Sequence, residues 1–149
     1  MTVYKTTIEE ICLKNAKGEI HKVKIKSSSE LAHYFREMFD QETLEVYEQV
    51  MVLFLNNANN TIAWYKASQG GITGTVIDVR LVMKAALNCY ATSMAIAHNH
   101  PSGILVPSDA DKSITNKLRQ AGNVLDIKVL DHIIITTESY FSFSDDGLL

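Results

Sequence analysis

The stretch AHNHPSGILVPSDAD, residues 97–111, connects an apolar segment to a polar one and decides how the chain is organised. It contains two histidines one residue apart and the only two prolines of the chain. The apolar run TSMAIA (92–97) predicts a buried strand. The segment SDADKSITNKLRQAG (108–122) predicts a helix that Gly122 ends as its C′ residue. The stretch therefore leads from a strand to a helix, and it is either a polar loop rich in turn formers or a metal site.

Strands and helices alternate along the rest of the chain. The predicted elements are a hairpin of 8–14 and 19–26, a helix that Ser27 and Glu30 cap and that breaks near Asp40, strands at 50–55 and 61–68, a helix capped by Asp78, and strands at 127–136 and 139–143. This order predicts an α/β fold of a single domain, with one central mixed β-sheet flanked by helices.

The composition is that of an ordinary folded chain. Its 149 residues are 46% hydrophobic and 21% charged, which is enough for a real core. The formal net charge of -3 argues against a protein whose main task is gripping nucleic acid. The cluster HKVKIK (21–26) could form a local basic patch, although a solvated strand face is the favoured interpretation. Two isolated cysteines and the lack of a signal core or membrane-length apolar run lead us to expect a cytoplasmic protein without membrane contact.

The two histidines of the opening stretch are spaced to act together. In an extended strand, the side chains of His98 and His100 point to the same face. They follow an apolar strand, and the C-terminal ends of strands are where open α/β sheets place ligands. The pair Ser108 and Asp111 adds a hydroxyl and a carboxylate. The same pair also matches a capping box, in which the serine caps the helix and the acid reaches back.

Helical geometry separates the two acids that begin this helix. The inward face of the helix is predicted to hold Ala110, Ile114, Leu118 and Ala121. At about 100° per residue, Asp111 lies at the border of that face and Asp109 points more toward solvent. A carboxylate at the border of a buried face needs a partner, and Zn²⁺ would be one.

Two neutral imidazoles and one carboxylate form a three-ligand set that leaves a fourth position for water. That is the pattern of a catalytic zinc. Such a site also needs a proton acceptor and a group that stabilises the developing oxyanion. Ser108 is close enough in sequence for the second task, whereas the acceptor must come from elsewhere in the chain.

The order H-x-H, seven residues, S, two residues, D resembles the metal motif of the JAMM (JAB/MPN) metallo-isopeptidases. More narrowly, HNHPSG, PSDAD, GNVLDIKVLDHIIIT and YFSFSDDGLL resemble the bacterial RadC-like proteins, over about residues 30–149. The resemblance implies a JAB/MPN, cytidine-deaminase-like fold for a domain over 29–149. Residues 1–28 would be an N-terminal β-hairpin extension.

The resemblance also implies roles for particular residues. His98, His100 and Asp111 would bind Zn²⁺, and Ser108 would assist the oxyanion. Glu48, in YEQVMVLFL just before a predicted strand, would be the general base. Glu45 is its nearest competitor but lies farther from that strand. The implied activity is hydrolysis of an amide or isopeptide bond in a peptide substrate.

Other interpretations remain open. The label "DNA repair" attached to RadC-like proteins implies an accessory protein that binds DNA or a protein partner and has a structural or vestigial metal site. The helix-hairpin-helix region of longer RadC-like proteins, the usual basis for that expectation, has no counterpart in the hairpin-like start of this chain. The string H-N-H suggests a nuclease only if a further histidine is suitably placed, and His132 is predicted inside a strand. His132 could orient a ligand, but a satisfied buried histidine beside Asp131 is favoured.

Overall fold

The computed structural model describes residues 20–70 and 76–149, which contain three helices and five strands. These are α1 (Ser28–Met38), β1 (Gln49–Leu55), β2 (Thr61–Gln69), α2 (Val79–Asn88), β3 (Ser93–Asn99), α3 (Asp109–Val124), β4 (Lys128–Ile135) and β5 (Tyr140–Ser142). The strand order is β2-β1-β3-β4-β5. Only β3 and β4 run parallel, and the other three neighbouring pairs are antiparallel. The predicted α/β architecture with one mixed sheet is confirmed.

Helices cover both faces of the sheet. Along β1, side chains alternate between two cores: Met51, Leu53 and Leu55 pack on the side of α1, and Val50, Val52 and Phe54 pack on the side of α2 and α3. All seven residues of β1 and all seven of β3 are buried. This double coverage explains why both central strands have nearly continuous apolar sequences, since each face of a central strand meets a helix.

The central position of β3 determines where the histidines point. The strand extends through His98 and Asn99, two residues beyond the predicted end. His98 is paired with Val50, whose side chain belongs to the core under α2 and α3. Because side chains alternate along a strand, His98 faces α3 and Asn99 faces the side of α1. The loop after β3 then leads into α3, whose first turn returns to the end of the strand.

Helix α3 differs from the prediction in two respects. Gly122 is not its C′ residue, because the helix continues to Val124 and Asp126 has the positive φ of 55°. A Cβ atom at Gly122 would overlap the carbonyl oxygen of Ile127, so the glycine allows close packing rather than ending the helix. The buried face holds Asp111, Thr115, Leu118 and Gly122, and is thus rotated by about one residue from the predicted face. Asp111 lies in the buried face, not at its border.

The predicted N-terminal hairpin falls largely on residues 1–19, which lie outside the described residues. Residues 20–26 form one isolated bridge, between Lys24 and Asn60, rather than a strand. The amide of Ile25 donates to Asn59 O at 2.9 Å, so this segment lies along the turn between β1 and β2. Among the helices of the two described ranges, none combines the length and hydropathy that a membrane span requires.

Candidate metal centre

Three side chains converge where β3 ends and α3 begins. The Nε2 atoms of His98 and His100 are 2.9 Å apart. His98 Nε2 lies 3.3 Å from Asp111 Oδ1, and His100 Nε2 lies 3.6 Å from Asp111 Oδ2. The structure thus brings the three predicted ligands together, and as a group they could hold a metal ion. Asp109, the competing acid, is exposed.

The donor set fits a small divalent ion. A tetrahedron with metal–ligand distances of about 2.0–2.1 Å has edges of roughly 3.3–3.4 Å, and the three observed separations lie on either side of that value. The His100 Nδ1 atom lies 2.6 Å from Ile104 O. A carbonyl oxygen only accepts, so Nδ1 carries the proton and the Nε2 lone pair is free for coordination. Two imidazole nitrogens and a carboxylate are common zinc ligands.

Asp111 is both a helix cap and a member of this group. Its Oδ2 accepts from Ser108 N at 2.7 Å, and its own amide donates to Ser108 Oγ at 3.1 Å, which completes a capping box. Its Oδ1 is turned toward His98. The capping and metal-site interpretations therefore do not exclude each other. The cap fixes the carboxylate in the orientation in which it faces the imidazoles.

The charge of Asp111 is stabilised where it lies. Burial alone would raise its pKa, but the close contacts with the imidazoles of His100 and His98 hold the pKa of this carboxyl well below its usual range. The same contact with Asp111 raises the pKa of His100, with burial acting in the opposite direction. The site thus keeps an ionised carboxylate beside the two imidazoles, which favours binding of a cation.

Glu48 lies in the residue position before β1 and lines the same cavity as His98 and Asp111, a space of about 290 Å³. The cavity wall combines polar side chains, which include Ser113 and Lys117, with apolar ones, namely Val50, Val76, Ile77, Ala110 and Ile114. Burial raises the pKa of Glu48, and the neighbouring imidazoles of His98 and His100 oppose this rise. Glu45 is exposed and accepts a hydrogen bond from Thr137 at 3.2 Å.

Ser108 lies beside the group but is committed in part to the helix. Its Oγ accepts from the amide of Asp111 and its side chain begins α3 as the N-cap. A hydroxyl that accepts one hydrogen bond still has a proton to donate. Ser108 is exposed, so this proton can reach a group that enters from solvent.

Asn99 has a role that the H-N-H string did not indicate. Its Oδ1 accepts from Gln49 N at 2.7 Å, and its Nδ2 donates to Leu44 O at 2.7 Å and Tyr47 O at 2.9 Å. Asn99 therefore ties the loop that carries Glu48 to the end of β3. Its alternation with the two histidines, which places it on the opposite face of the strand, is the one sequence signal for a separate role.

His132 is buried and satisfied, as a core histidine would be, but its ring nitrogens have partners other than Asp131. Its Nε2 lies 2.7 Å from His98 Nδ1 and its Nδ1 lies 2.5 Å from Thr115 Oγ1. The Asp131 carboxylate instead accepts from the backbone amide of His132 at 2.7 Å and from Ser142 Oγ at 2.6 Å. Burial lowers the pKa of His132 well below its usual value, and the nearby His98 adds to this effect. Thr115 was missed in the sequence, although its position four residues after Asp111 places it on the same helix face.

Comparison with known proteins assigns the family. The family model for the RadC-like JAB domain, which represents the sequences of that family, matches residues 25–148. A UPF0758 protein of Flavobacterium johnsoniae is 54% identical over 102 residues, which are 68% of this chain and 44% of that protein. The UPF0758 protein YfjY of Escherichia coli K12 is 44% identical over 102 residues, 68% of this chain and 64% of that protein.

A UPF0758 protein of Pseudoalteromonas translucida is 37% identical in an alignment of 165 positions that covers 99% of this chain and 74% of that protein. The chain therefore spans about half the length of the Flavobacterium relative and under two thirds of the Escherichia relative. Because the family model matches well over half of its residues, the chain belongs to the RadC-like JAB domain family.

Proposed function

We propose that this chain is a zinc-dependent hydrolase that cleaves an amide or isopeptide bond in a peptide substrate. The observation that most supports it is the convergence of His98, His100 and Asp111 at a cavity that Glu48 also lines. Three ligands of this kind are typical of a catalytic zinc, because a structural zinc is usually held by four protein ligands.

The side chains around the ligands have the properties that such a reaction needs. When bound, Zn²⁺ supplies Lewis acidity, which lowers the pKa of a water molecule toward neutrality and polarises a carbonyl group. Glu48 accepts the proton of the attacking water and passes it to the amine that leaves, while the C–O bond forms and the C–N bond breaks. Burial favours this role of Glu48, because a raised pKa makes the carboxylate a stronger base.

Two further features support the hydrolysis. The hydroxyl of Ser108 can donate its proton to the carbonyl oxygen of the substrate, which becomes negative as the C–O bond forms. Val50, Ile77 and Ile114 make part of the cavity wall apolar. Electrostatic interactions are stronger in such surroundings than in bulk water.

Metal analysis combined with a hydrolysis assay tests this proposal. We expect the wild type to bind stoichiometric zinc and to cleave members of a fluorogenic library of peptides and lysine-linked isopeptides. His100→Ala should lose zinc, because it removes one of three ligands. Glu48→Ala should keep zinc and lose hydrolysis. Glu45→Ala is the matched control, since this exposed glutamate lies outside the cavity, and it should keep both properties.

Two results would contradict the proposal. Stoichiometric zinc in His100→Ala would overturn the ligand assignment. A wild type that binds zinc, cleaves no library member and instead binds duplex DNA with a steep dependence on salt would support the DNA-repair accessory role.

A further inference from the structure

A chain of buried hydrogen bonds runs behind the metal-facing atom of His98. Thr115 Oγ1 lies 2.6 Å from the carbonyl oxygen of Asp111 and 2.5 Å from His132 Nδ1. His132 Nε2 lies 2.7 Å from His98 Nδ1. The side chains belong to α3, β4 and β3 in turn, and each of the three residues is at most 2% exposed. Solvent therefore does not supply alternative partners for these atoms.

The contacts allow only one assignment of donors and acceptors along this series of hydrogen bonds. A carbonyl oxygen only accepts hydrogen bonds, so the single hydroxyl proton of Thr115 lies toward Asp111 O. Thr115 Oγ1 then accepts from His132, which places a proton on His132 Nδ1. A second proton would bury an unpaired charge, which is costly, so His132 Nε2 is an acceptor. The remaining donor at the 2.7 Å contact is the Nδ1–H group of His98.

We propose that Thr115 and His132 are positioning residues that hold His98 in its Nδ1–H tautomer and thereby direct the Nε2 lone pair of His98 at the metal. This inference rests on the zinc site proposed above. In the reverse order, the hydroxyl of Thr115 donates to His132, and His132 donates to His98. His98 would then carry its proton on Nε2, the atom that faces His100 and Asp111, and could not coordinate through it.

The two histidine ligands thus reach the same tautomer by different means. His100 donates its Nδ1–H directly to the carbonyl oxygen of Ile104 in the loop after β3. His98 lies inside the sheet, where its Nδ1 contacts His132 Nε2, and the position of its proton depends on Thr115 through His132. Helix α3 consequently supplies both a ligand, through Asp111, and the hydroxyl that orders the protons of another ligand. The carbonyl of Asp111 is the fixed acceptor on which this order depends.

Long-range ¹H–¹⁵N correlation spectra of the metal-free protein test the proton order directly. With histidines labelled at both ring nitrogens and mildly alkaline buffer, the Nδ1 atoms of His98 and His132 should have the shifts of protonated nitrogens. Their Nε2 atoms should have the shifts of unprotonated nitrogens. A proton on Nε2 of His98 in the wild type would overturn the proposal. This measurement requires neither bound zinc nor hydrolysis.

Zinc affinity tests the consequence for the ligand. Affinities are measured by competition with a chromophoric chelator for the wild type, Thr115→Val and Thr115→Ser. Valine keeps the shape of threonine without the hydroxyl, so both proton orders become accessible, and we expect zinc affinity to fall about 10–100-fold. Serine restores the hydroxyl and should restore an affinity close to that of the wild type.

Thr61→Val is the matched control. Thr61 is also buried, at 3% exposed, and its hydroxyl accepts from Val23 N at 2.9 Å at the start of β2. It should lower stability without changing zinc affinity. Circular dichroism confirms that each variant is folded. If Thr115→Val does not fold, His132→Gln, which can still accept from His98, should bind zinc more tightly than His132→Leu.

Equal zinc affinities for Thr115→Val and Thr115→Ser, or for His132→Gln and His132→Leu, would refute the positioning role. Failure of the hydrolase proposal would look different, since the wild type would bind zinc and cleave no probe. Failure of the metal site would also look different, since the wild type itself would bind no zinc.

Discussion

Replacing Asp111 with asparagine separates the two functions of its carboxylate. In the wild type, Oδ2 accepts from Ser108 N at 2.7 Å and caps α3, while Oδ1 lies 3.3 Å from His98 Nε2. Asparagine keeps one oxygen, which can continue to accept from Ser108. It replaces the other oxygen with an NH₂ group, which carries no negative charge and cannot bind a cation. The variant should therefore keep the helix and lose the metal.

The size of each effect follows from these contacts. The cap changes from a charged to a neutral acceptor, which costs about 1 kcal/mol, and the helix N-terminus loses a favourable negative charge worth up to about 1 kcal/mol. We therefore expect the metal-free Asp111→Asn protein to be destabilised by about 1–2 kcal/mol. Zinc affinity should fall by more than the 10–100-fold that follows when only a hydrogen-bond partner of a ligand is removed.

Urea denaturation of the metal-free protein and zinc competition with a chromophoric chelator measure these two quantities. Asp109→Asn is the matched control, because Asp109 lies in the first turn of the same helix but is exposed. It should lose only the small interaction with the helix dipole and retain the wild-type zinc affinity. Asp111→Ala should lose the cap as well, and so be less stable than Asp111→Asn.

Wild-type zinc affinity in Asp111→Asn would refute the assignment of Asp111 as a ligand. A loss of zinc in Asp109→Asn equal to that in Asp111→Asn would show that helix stability, rather than coordination, controls binding. Unfolding of Asp111→Asn without a parallel effect in the control would show that the cap contributes more than these contacts indicate.

Three further perturbations test other parts of the structure. Gly122→Ala should lower the free energy of unfolding by about 1–2 kcal/mol in urea denaturation, because the overlap of the new Cβ atom with Ile127 O outweighs the better helix propensity of alanine. An unchanged or higher stability would be inconsistent with this close contact. Asn99→Leu should lower the free energy of unfolding by about 3 kcal/mol, because three backbone groups lose their partner and two of these hydrogen bonds are buried. It should also reduce hydrolysis by displacing Glu48 while zinc stays bound, and undiminished hydrolysis would argue against the tether. Below about pH 6.5 the unfolded chain binds a proton at His132 that the folded chain does not. The free energy of unfolding of the metal-free protein should therefore fall by up to about 1.4 kcal/mol for each pH unit of acidification because of this residue. His132→Phe should show a correspondingly smaller dependence of this free energy on pH, and an unchanged dependence would count against a neutral buried imidazole.

Sequence periodicity was sufficient for most of the secondary structure. The run at 50–55 and the segment at 61–68 are the paired strands β1 and β2. Asp78 caps α2, as its residue type predicts. The end of α3 was the clearest error. Glycine is a common helix terminator, but Gly122 instead lies where the turn after α3 brings Ile127 back against the helix. A packing glycine and a terminating glycine cannot be distinguished within one helix.

Some features of the candidate site could likewise be predicted from the local sequence, and others could not. The spacing of His98 and His100 places both imidazoles on one side of a strand, and the capping pattern that brings Asp111 back is local as well. The apolar residues of α3 predict an inward face one residue away from the observed one, because Asp111 and Thr115 are polar and do not belong to an apolar pattern. Both side chains are nevertheless buried, because they have polar partners inside the protein: Asp111 contacts His98, and Thr115 contacts His132.

Local sequence was therefore enough to predict the strand–loop–helix unit that presents two imidazoles and a carboxylate, because each of those relations extends over a few residues. Only the tertiary structure decided which other groups meet it. Glu48 comes close because β1 lies beside β3, and His132 reaches His98 because β4 lies on the other side. Periodicity specifies the face on which a side chain lies, whereas the neighbours of that face depend on the order of strands in the sheet.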